Sequence, residues 1–326
     1  MNRLCWTLLL ALTALANPPQ SQLVAYEATG PYRAEVRDVR WIDPARNREL
    51  PLRMRLPDAP APRGVILFSH GLGGSVDGGR FWGEQWASHG FVVIHLQHPG
   101  SDESVWREAV NPGRAMRRAA GVDQFIDRIL DVKFVLDELT RRQRAGDPLT
   151  ATMDLTRIGM SGHSFGAITT QAIAGQAYGA TGGAKALTDA RPRAFIAFSP
   201  SAREGTGSRM FATIERPFFS VTGTEDGAVG MGLGVAPAQR LLPFEGMPAG
   251  DKYLLNLTGA DHMIFNGGGR LRDRAADPAR DAAHVRLTKA TTTAFWLAYL
   301  NGDIEAKRWL AQAQRYVGDA GDFRAK

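Results

Sequence analysis

The sequence predicts an α/β fold: a mostly parallel central sheet with helices on both faces and an antiparallel strand pair at its N-terminal side. Apolar runs of strand length recur from residue 65 onward, and segments with helical spacing of apolar residues lie between them. Buried strands separated by helices indicate a parallel sheet covered on both sides. The start of the chain differs. Two strand-like segments, 32–41 and 49–56, flank the turn-prone stretch 43–47 and read as an antiparallel pair.

The elements follow in order. Pro57, Pro60 and Pro62 interrupt the chain before an apolar strand over 65–69. A short helix over 81–88 leads to a strand over 91–96. Between 122 and 140, Val122, Phe125, Ile126, Ile129, Val132, Val135, Leu136 and Leu139 recur at helical spacing, which sets one face of a helix against the sheet. A strand over 158–160 precedes a helix over 165–178. Strands over 194–198, 217–221 and 253–257 and helices over 287–300 and 304–313 complete the pattern. The glycine-rich interval 223–250 is too irregular for a second domain and is expected to form loops at the sheet's carboxyl edge. One domain over 30–316 results, with an N-terminal extension over 17–29 and a C-terminal tail over 317–326.

Residues 1–16 carry Arg3, an apolar run over 8–15 and the small-x-small signal Ala14-Leu15-Ala16. The run is short for a bilayer span, and Asn17-Pro18-Pro19 ends any helix there. A cleaved signal peptide is expected, with a periplasmic or secreted destination. Its removal takes away Cys5, the only cysteine among 326 residues, so the mature chain has no thiol nucleophile and no internal disulfide. The net charge is +6, and +5 without Arg3. The basic residues are spread along the chain and accompany no nucleic-acid-reading motif. They read as a solvated basic surface, and no nucleic-acid partner is expected.

The chemistry centres on Gly162-His163-Ser164-Phe165-Gly166, a G-x-S-x-G between a strand and a helix. Such a turn projects the serine hydroxyl above the sheet, and its glycines let backbone and helix approach closely. Ser164 needs a general base, because an unassisted hydroxyl is a weak nucleophile. Of seven histidines, His163 leaves the turn in another direction and His284 falls in a helix. His262 follows the strand over 253–257 on the loop Thr258-Gly259-Ala260-Asp261-His262 and is the expected base. Asp226, where the strand over 217–221 runs into a polar turn, is the expected acid, ahead of Glu225 and Asp261. The order Ser164, Asp226, His262 is the one this scaffold uses.

Acyl transfer also needs donors for the developing oxyanion. The Phe165 N–H is the first. The turn Ser69-His70-Gly71-Leu72-Gly73-Gly74 offers the Leu72 N–H as the second, with His70 either orienting the turn or simply structural. Trp82 and Trp106 are candidate substrate-pocket residues, although Trp82 and Trp86 at i,i+4 spacing equally suit helix packing. Met210, Phe211 and 230–233 are candidates for an apolar rim. No P-loop lysine pattern and no H-E-x-x-H occur, so no cofactor and no metal are assigned.

With these residues in place, the chain resembles the α/β-hydrolase superfamily, in particular its platelet-activating-factor acetylhydrolase-like and dienelactone-hydrolase-like branches. Phe68-Ser69-His70-Gly71-Leu72-Gly73 and Gly162-His163-Ser164-Phe165-Gly166 look most like the former, and the likeness extends from Val65 to His262. The resemblance implies the α/β-hydrolase fold, with hydrolysis of short-acyl or lipid-like esters through Ser164, Asp226 and His262. Peripheral contact with a lipid surface goes with that substrate class. Dienelactone hydrolases can use cysteine where Ser164 stands, which argues against their substrate. A secreted polyester hydrolase or cutinase-like enzyme, a serine amidase or peptidase, and a non-catalytic lipid-binding protein are the alternatives.

Overall fold

The computed structural model describes residues 25–178, 187–202, 208–227, 234–267 and 277–326. The hairpin of β1 (Ala34–Asp43) and β2 (Arg48–Pro57) is antiparallel. Then β3 (Arg63–Ser69), β4 (Val92–Leu96), β5 (Met153–His163), β6 (Pro192–Phe198), β7 (Phe218–Glu225) and β8 (Lys252–Asp261) form a parallel block. β2 joins that block antiparallel to β4, and β9 (Gly321–Ala325) closes the other edge antiparallel to β8. The sheet order is β1-β2-β4-β3-β5-β6-β7-β8-β9.

Strand alternation divides the interior into two cores. In β3, Ile66 and Phe68 enter one cluster while Val65 and Leu67 enter the other, as the two-residue period of a strand requires. Among the described residues, helices include α1 (Arg80–Ser88), α2 (Ser104–Arg107), α3 (Pro112–Ala119), α4 (Val122–Arg144), α5 (Phe165–Ala174), α6 (Leu242–Gly246), α7 (Pro278–Leu300), α8 (Ile304–Leu310) and α9 (Gln314–Val317). α1, α7 and α8 pack into the first core, and α4 and α5 into the second. On α4 the expected stripe is buried through Ile129, Val132, Val135, Leu136 and Leu139. Each such side chain contributes about 1.5–3 kcal/mol by leaving water. Arg141, Arg142 and Arg144 sit in its last turn, where the helix end favours cations.

Several boundaries differ from expectation, each for a local reason. α7 starts at Pro278, because Asp277 accepts a hydrogen bond from the Arg280 N–H and Pro278 fits the first turn. α5 ends at Ala174, where Gly175 turns the backbone to φ 118°. The expected tail over 317–326 is corrected: residues 321–325 are a sheet strand, with Phe323 buried in the first core. The expected extension over 17–29 is corrected in its described part. Tyr26 packs edge-on against Trp309 at 5.2 Å, and the Gln85 amide donates to the Tyr26 and Ala28 carbonyls. The residues expected as a leader, 1–16, lie outside the described ones, as do 230–233 of the expected rim. Among the described residues no helix is long and apolar enough to cross a membrane.

Candidate active site

A parallel block brings the carboxyl ends of its strands to one edge, where ligand sites of open α/β sheets lie. Ser164 follows β5, Asp226 follows β7, and His262 follows β8. Ser164 has φ 55° and ψ −111°, a backbone conformation that non-glycine residues rarely adopt. The surroundings impose it. Its N–H donates to the Phe198 carbonyl at 2.9 Å, and its carbonyl accepts from Ile168 in α5 at 3.1 Å.

The flanking glycines are required by close backbone contact. A Cβ on Gly162 would lie 2.4 Å from the Gly166 carbonyl oxygen, and one on Gly166 would lie 1.8 Å from the Ser69 carbonyl oxygen. Both obstacles are main chain, which cannot rotate aside. Gly166→Ala is therefore expected to destabilise the protein by about 3 kcal/mol or more. Urea unfolding measures this, and an unchanged midpoint would mean that α5 is not seated against β3 this closely.

The three expected residues meet. The Ser164 hydroxyl donates to His262 Nε2 at 3.0 Å, and His262 Nδ1–H donates to Asp226 Oδ1 at 2.7 Å. The Thr222 hydroxyl donates to Asp226 Oδ2 at 2.8 Å, so both carboxylate oxygens are engaged. Asp226 is fully buried, which by itself would raise its pKa. The His262 hydrogen bond and the Arg240 charge outweigh burial and hold the carboxyl below its ordinary value. Ser164 is only partly buried and open to a reactant.

Two more groups fix this arrangement, and the sequence reading assigned a role to neither. Arg240, buried just before α6, donates from Nε to the Asp226 carbonyl at 3.1 Å and from its terminal nitrogen to the Ser199 carbonyl at 2.9 Å. It thereby ties the ends of β6 and β7 together. Its other terminal nitrogen lies 3.3 Å from His262 Nδ1. That nitrogen already carries the proton given to Asp226, so the approach is a close contact rather than a second hydrogen bond. His163 packs its ring beside that of His262, 4.7 Å between ring centres, and donates from Nε2 to the His262 carbonyl at 3.0 Å. Burial, followed by the charge of His262, lowers its pKa to about 3. It stays neutral and pins the loop of His262.

The expected oxyanion loop follows β3. Gly71 lies against Ser164: a Cβ there would be 3.5 Å from Ser164 Cβ and 3.2 Å from His163 Nδ1. The N–H groups of Leu72 and Phe165 donate to no other group among the described residues. Trp106 is 41 % exposed and donates from its indole to the Gly73 carbonyl at 2.8 Å, at the rim of this loop. Met116 of α3 covers Gly73 beside it. Trp82 is corrected: it is fully buried, stacked on Phe198 at 5.5 Å, with its indole N–H donating to the Phe265 carbonyl at 2.8 Å. It belongs to the core. Phe211, a rim candidate, is likewise buried in the second core.

Beneath the loop runs a buried polar network. Arg128 of α4 has no solvent exposure and donates to the Ser101 hydroxyl at 2.9 Å, the Ser69 hydroxyl at 3.0 Å and the His70 carbonyl. Its guanidinium also lies 4.7 Å from the centre of the Phe165 ring. Ser69 bonds to His98 Nε2 at 2.9 Å, and His98 Nδ1 bonds to Asp131 at 3.0 Å. Asp131 accepts from Arg46 at 2.7 Å and from Arg48 at 2.8 Å, both in the β1–β2 turn region. A signal for this network was present in the sequence. Arg128 and Asp131 stand three and six residues after Phe125, on the apolar stripe of α4, where a charge needs buried partners.

Among the described residues, no group of three or more His, Cys, Asp or Glu side chains is placed to hold a metal ion. Comparison with known proteins returns neither a matching family model nor a matching curated protein.

Proposed function

We propose that this chain is an exported serine esterase of the α/β-hydrolase fold, acting on short-acyl or lipid-like carboxylic esters. The observation that carries this reading is the continuous hydrogen-bonded line from Ser164 Oγ through His262 to the buried Asp226. A strained, partly exposed serine in that line is a nucleophile with its base and orienting acid in hydrogen-bond reach. The sheet order, with an antiparallel strand pair ahead of a parallel block, agrees with the hydrolase fold. The leader-like sequence of residues 1–16 supports export.

In the mechanism, Ser164 Oγ attacks the ester carbonyl carbon while His262 Nε2 takes the hydroxyl proton. Asp226 stabilises the imidazolium and keeps the ring oriented. The N–H groups of Phe165 and Leu72 receive the oxyanion. Collapse of the tetrahedral species breaks the bond to the alcohol oxygen, which takes the proton from His262. Water then attacks the acyl-serine with His262 again as base, releasing the acid and restoring Ser164. Every group in this cycle belongs to the chain, the ester or water.

The test is a panel of nitrophenyl esters of increasing acyl length beside matched nitroanilides. We expect ester turnover, fastest for short acyl groups, with kcat/KM for the anilides lower by about two orders of magnitude or more. Preference for the anilides would replace the esterase by an amidase. Binding of acyl ligands with no turnover of any ester would leave a lipid-binding protein instead.

A further inference from the structure

We propose that His70 is the positioning residue of the oxyanion donor, held in a single tautomer so that the Leu72 N–H faces the reacting oxygen before substrate arrives. This inference rests on the esterase reading above. It concerns one peptide plane, Gly71–Leu72. That plane carries the Gly71 carbonyl at one side and the Leu72 N–H at the other, since a trans peptide sets them opposite.

The carbonyl is held twice. His70 Nδ1 bonds to the Gly71 oxygen at 2.6 Å, and the Gly74 N–H donates to it at 3.0 Å. With the oxygen turned into the loop toward the buried His70 ring, the Leu72 N–H turns outward. A Cβ on Gly71 would lie 3.5 Å from Ser164 Cβ, so this peptide plane stands beside Ser164. A flipped peptide would point the carbonyl at the nucleophile and leave the buried His70 donor and the partly buried Gly74 N–H unpaired. The donor is thus fixed in advance, which is what makes an oxyanion site effective.

The proton positions follow from the partners. The His98 N–H donates to His70 Nε2 at 3.1 Å, so Nε2 is bare and Nδ1 carries the hydrogen given to Gly71. His98 in turn must donate from Nδ1, because the Asp131 carboxylate only accepts. Its Nε2 then accepts from the Ser69 hydroxyl, whose oxygen accepts from Arg128. Arg128 also holds the His70 carbonyl, the other side of the same turn. One direction of donation runs through the whole network, and it admits one tautomer of each ring. Burial, followed by the charge of Arg128, keeps both rings neutral.

Three variants separate positioning from structural support. His70→Asn places an amide N–H where Nδ1 stands and retains the bond to Gly71. His70→Gln places its amide at the Nε2 end and does not. His70→Leu removes both ends while keeping bulk. Each is assayed on a nitrophenyl ester per titrated Ser164 site, together with inhibition by a trifluoromethyl ketone that forms a tetrahedral adduct. We expect His70→Asn to stay within about tenfold of the parent. For His70→Gln and His70→Leu we expect kcat to fall on the order of 10²-fold, the effect of losing one oxyanion donor. KM should change little and ketone affinity should fall in parallel. A structural role met by any polar group would not distinguish Asn from Gln, so equal kcat per site in those two overturns the proposal. So does a fall in kcat with ketone affinity intact. The Asn–Gln pair decides the matter even where His70→Leu does not fold. A parent protein that neither hydrolyses esters nor takes up label at Ser164 sinks the esterase reading and this inference together. An active parent with indifferent His70 variants sinks the inference alone.

Discussion

Ser164→Ala is expected to lower kcat for ester hydrolysis by about five to six orders of magnitude, as loss of the serine does in other triads. The expectation follows from the geometry. His262 Nε2 has the Ser164 hydroxyl at 3.0 Å as its reactive partner, and without that oxygen the acyl-enzyme route closes. In the proposed mechanism the residual rate is set by the oxyanion donors and by binding, which the substitution leaves in place. Asp226→Asn tests the far end of the same line. An amide presents a donor as well as an acceptor, which disturbs the Nδ1–H donation and the tautomer that Ser164 needs. A loss on the order of 10⁴ in kcat is expected, with the fold preserved. Steady-state kinetics on folded, purified variants measures both. A Ser164→Ala enzyme with more than a tenth of the parent activity would assign the nucleophile elsewhere.

The largest effect on stability is expected at Asp131. Its carboxylate is fully buried between His98, Arg46 and Arg48, and it is the leading charge that keeps the buried Arg128 cationic. In Asp131→Ala, Arg46 and Arg48 retain some access to water, whereas Arg128 has none. A buried cation stripped of its leading counter-charge, with Asp102 the remaining one, is the costly product, and the loss is expected at about 3–5 kcal/mol. Urea unfolding at neutral pH reads it, and a loss under about 1 kcal/mol would show that Arg128 is compensated elsewhere.

The same group sets an acid dependence. Burial would raise the Asp131 pKa, but the hydrogen bonds from His98 and Arg48, with the Arg48 charge, lower it from 3.8 to about 2. A carboxyl lowered in the folded state stabilises fully above its unfolded value and loses that contribution as pH falls through the folded value. Stability should therefore decline between about pH 4 and pH 2 on account of this group. Asp131→Asn should be flatter across that window, which unfolding midpoints at stepped pH would reveal.

Much of this could be read in the sequence because it depends on local pattern. Apolar runs such as 65–68 mark strands buried on both faces, and a glycine at each end of His163-Ser164-Phe165 has meaning only in a tight turn. The order of Ser164, Asp226 and His262 then followed from which strand ends carry polar turns. What stayed hidden depends on partners distant in the chain. β9 carries one strongly apolar inward residue, Phe323, between charged neighbours, and becomes a strand through pairing with β8. Arg240 lies in a stretch without periodicity, and only the fold supplies its carbonyl acceptors at Asp226 and Ser199. Trp82 was open to two readings at i,i+4 from Trp86. The Phe265 carbonyl, distant in sequence, decides for the core. The network under the Ser69–Gly74 turn was half legible, since Arg128 and Asp131 interrupt an apolar stripe. Their partners Ser69, His98 and Arg48 come from three other segments.

The proposed cycle requires the Ser164 oxygen to carry the acyl group between its two half-reactions. Rapid acid quench of the protein with nitrophenyl acetate, followed by mass mapping of its peptides, addresses this directly. A burst of nitrophenolate equal to the active protein is expected, with an acetyl group on the peptide that holds Ser164. Steady turnover with acetyl on no serine, or on a different one, would contradict it.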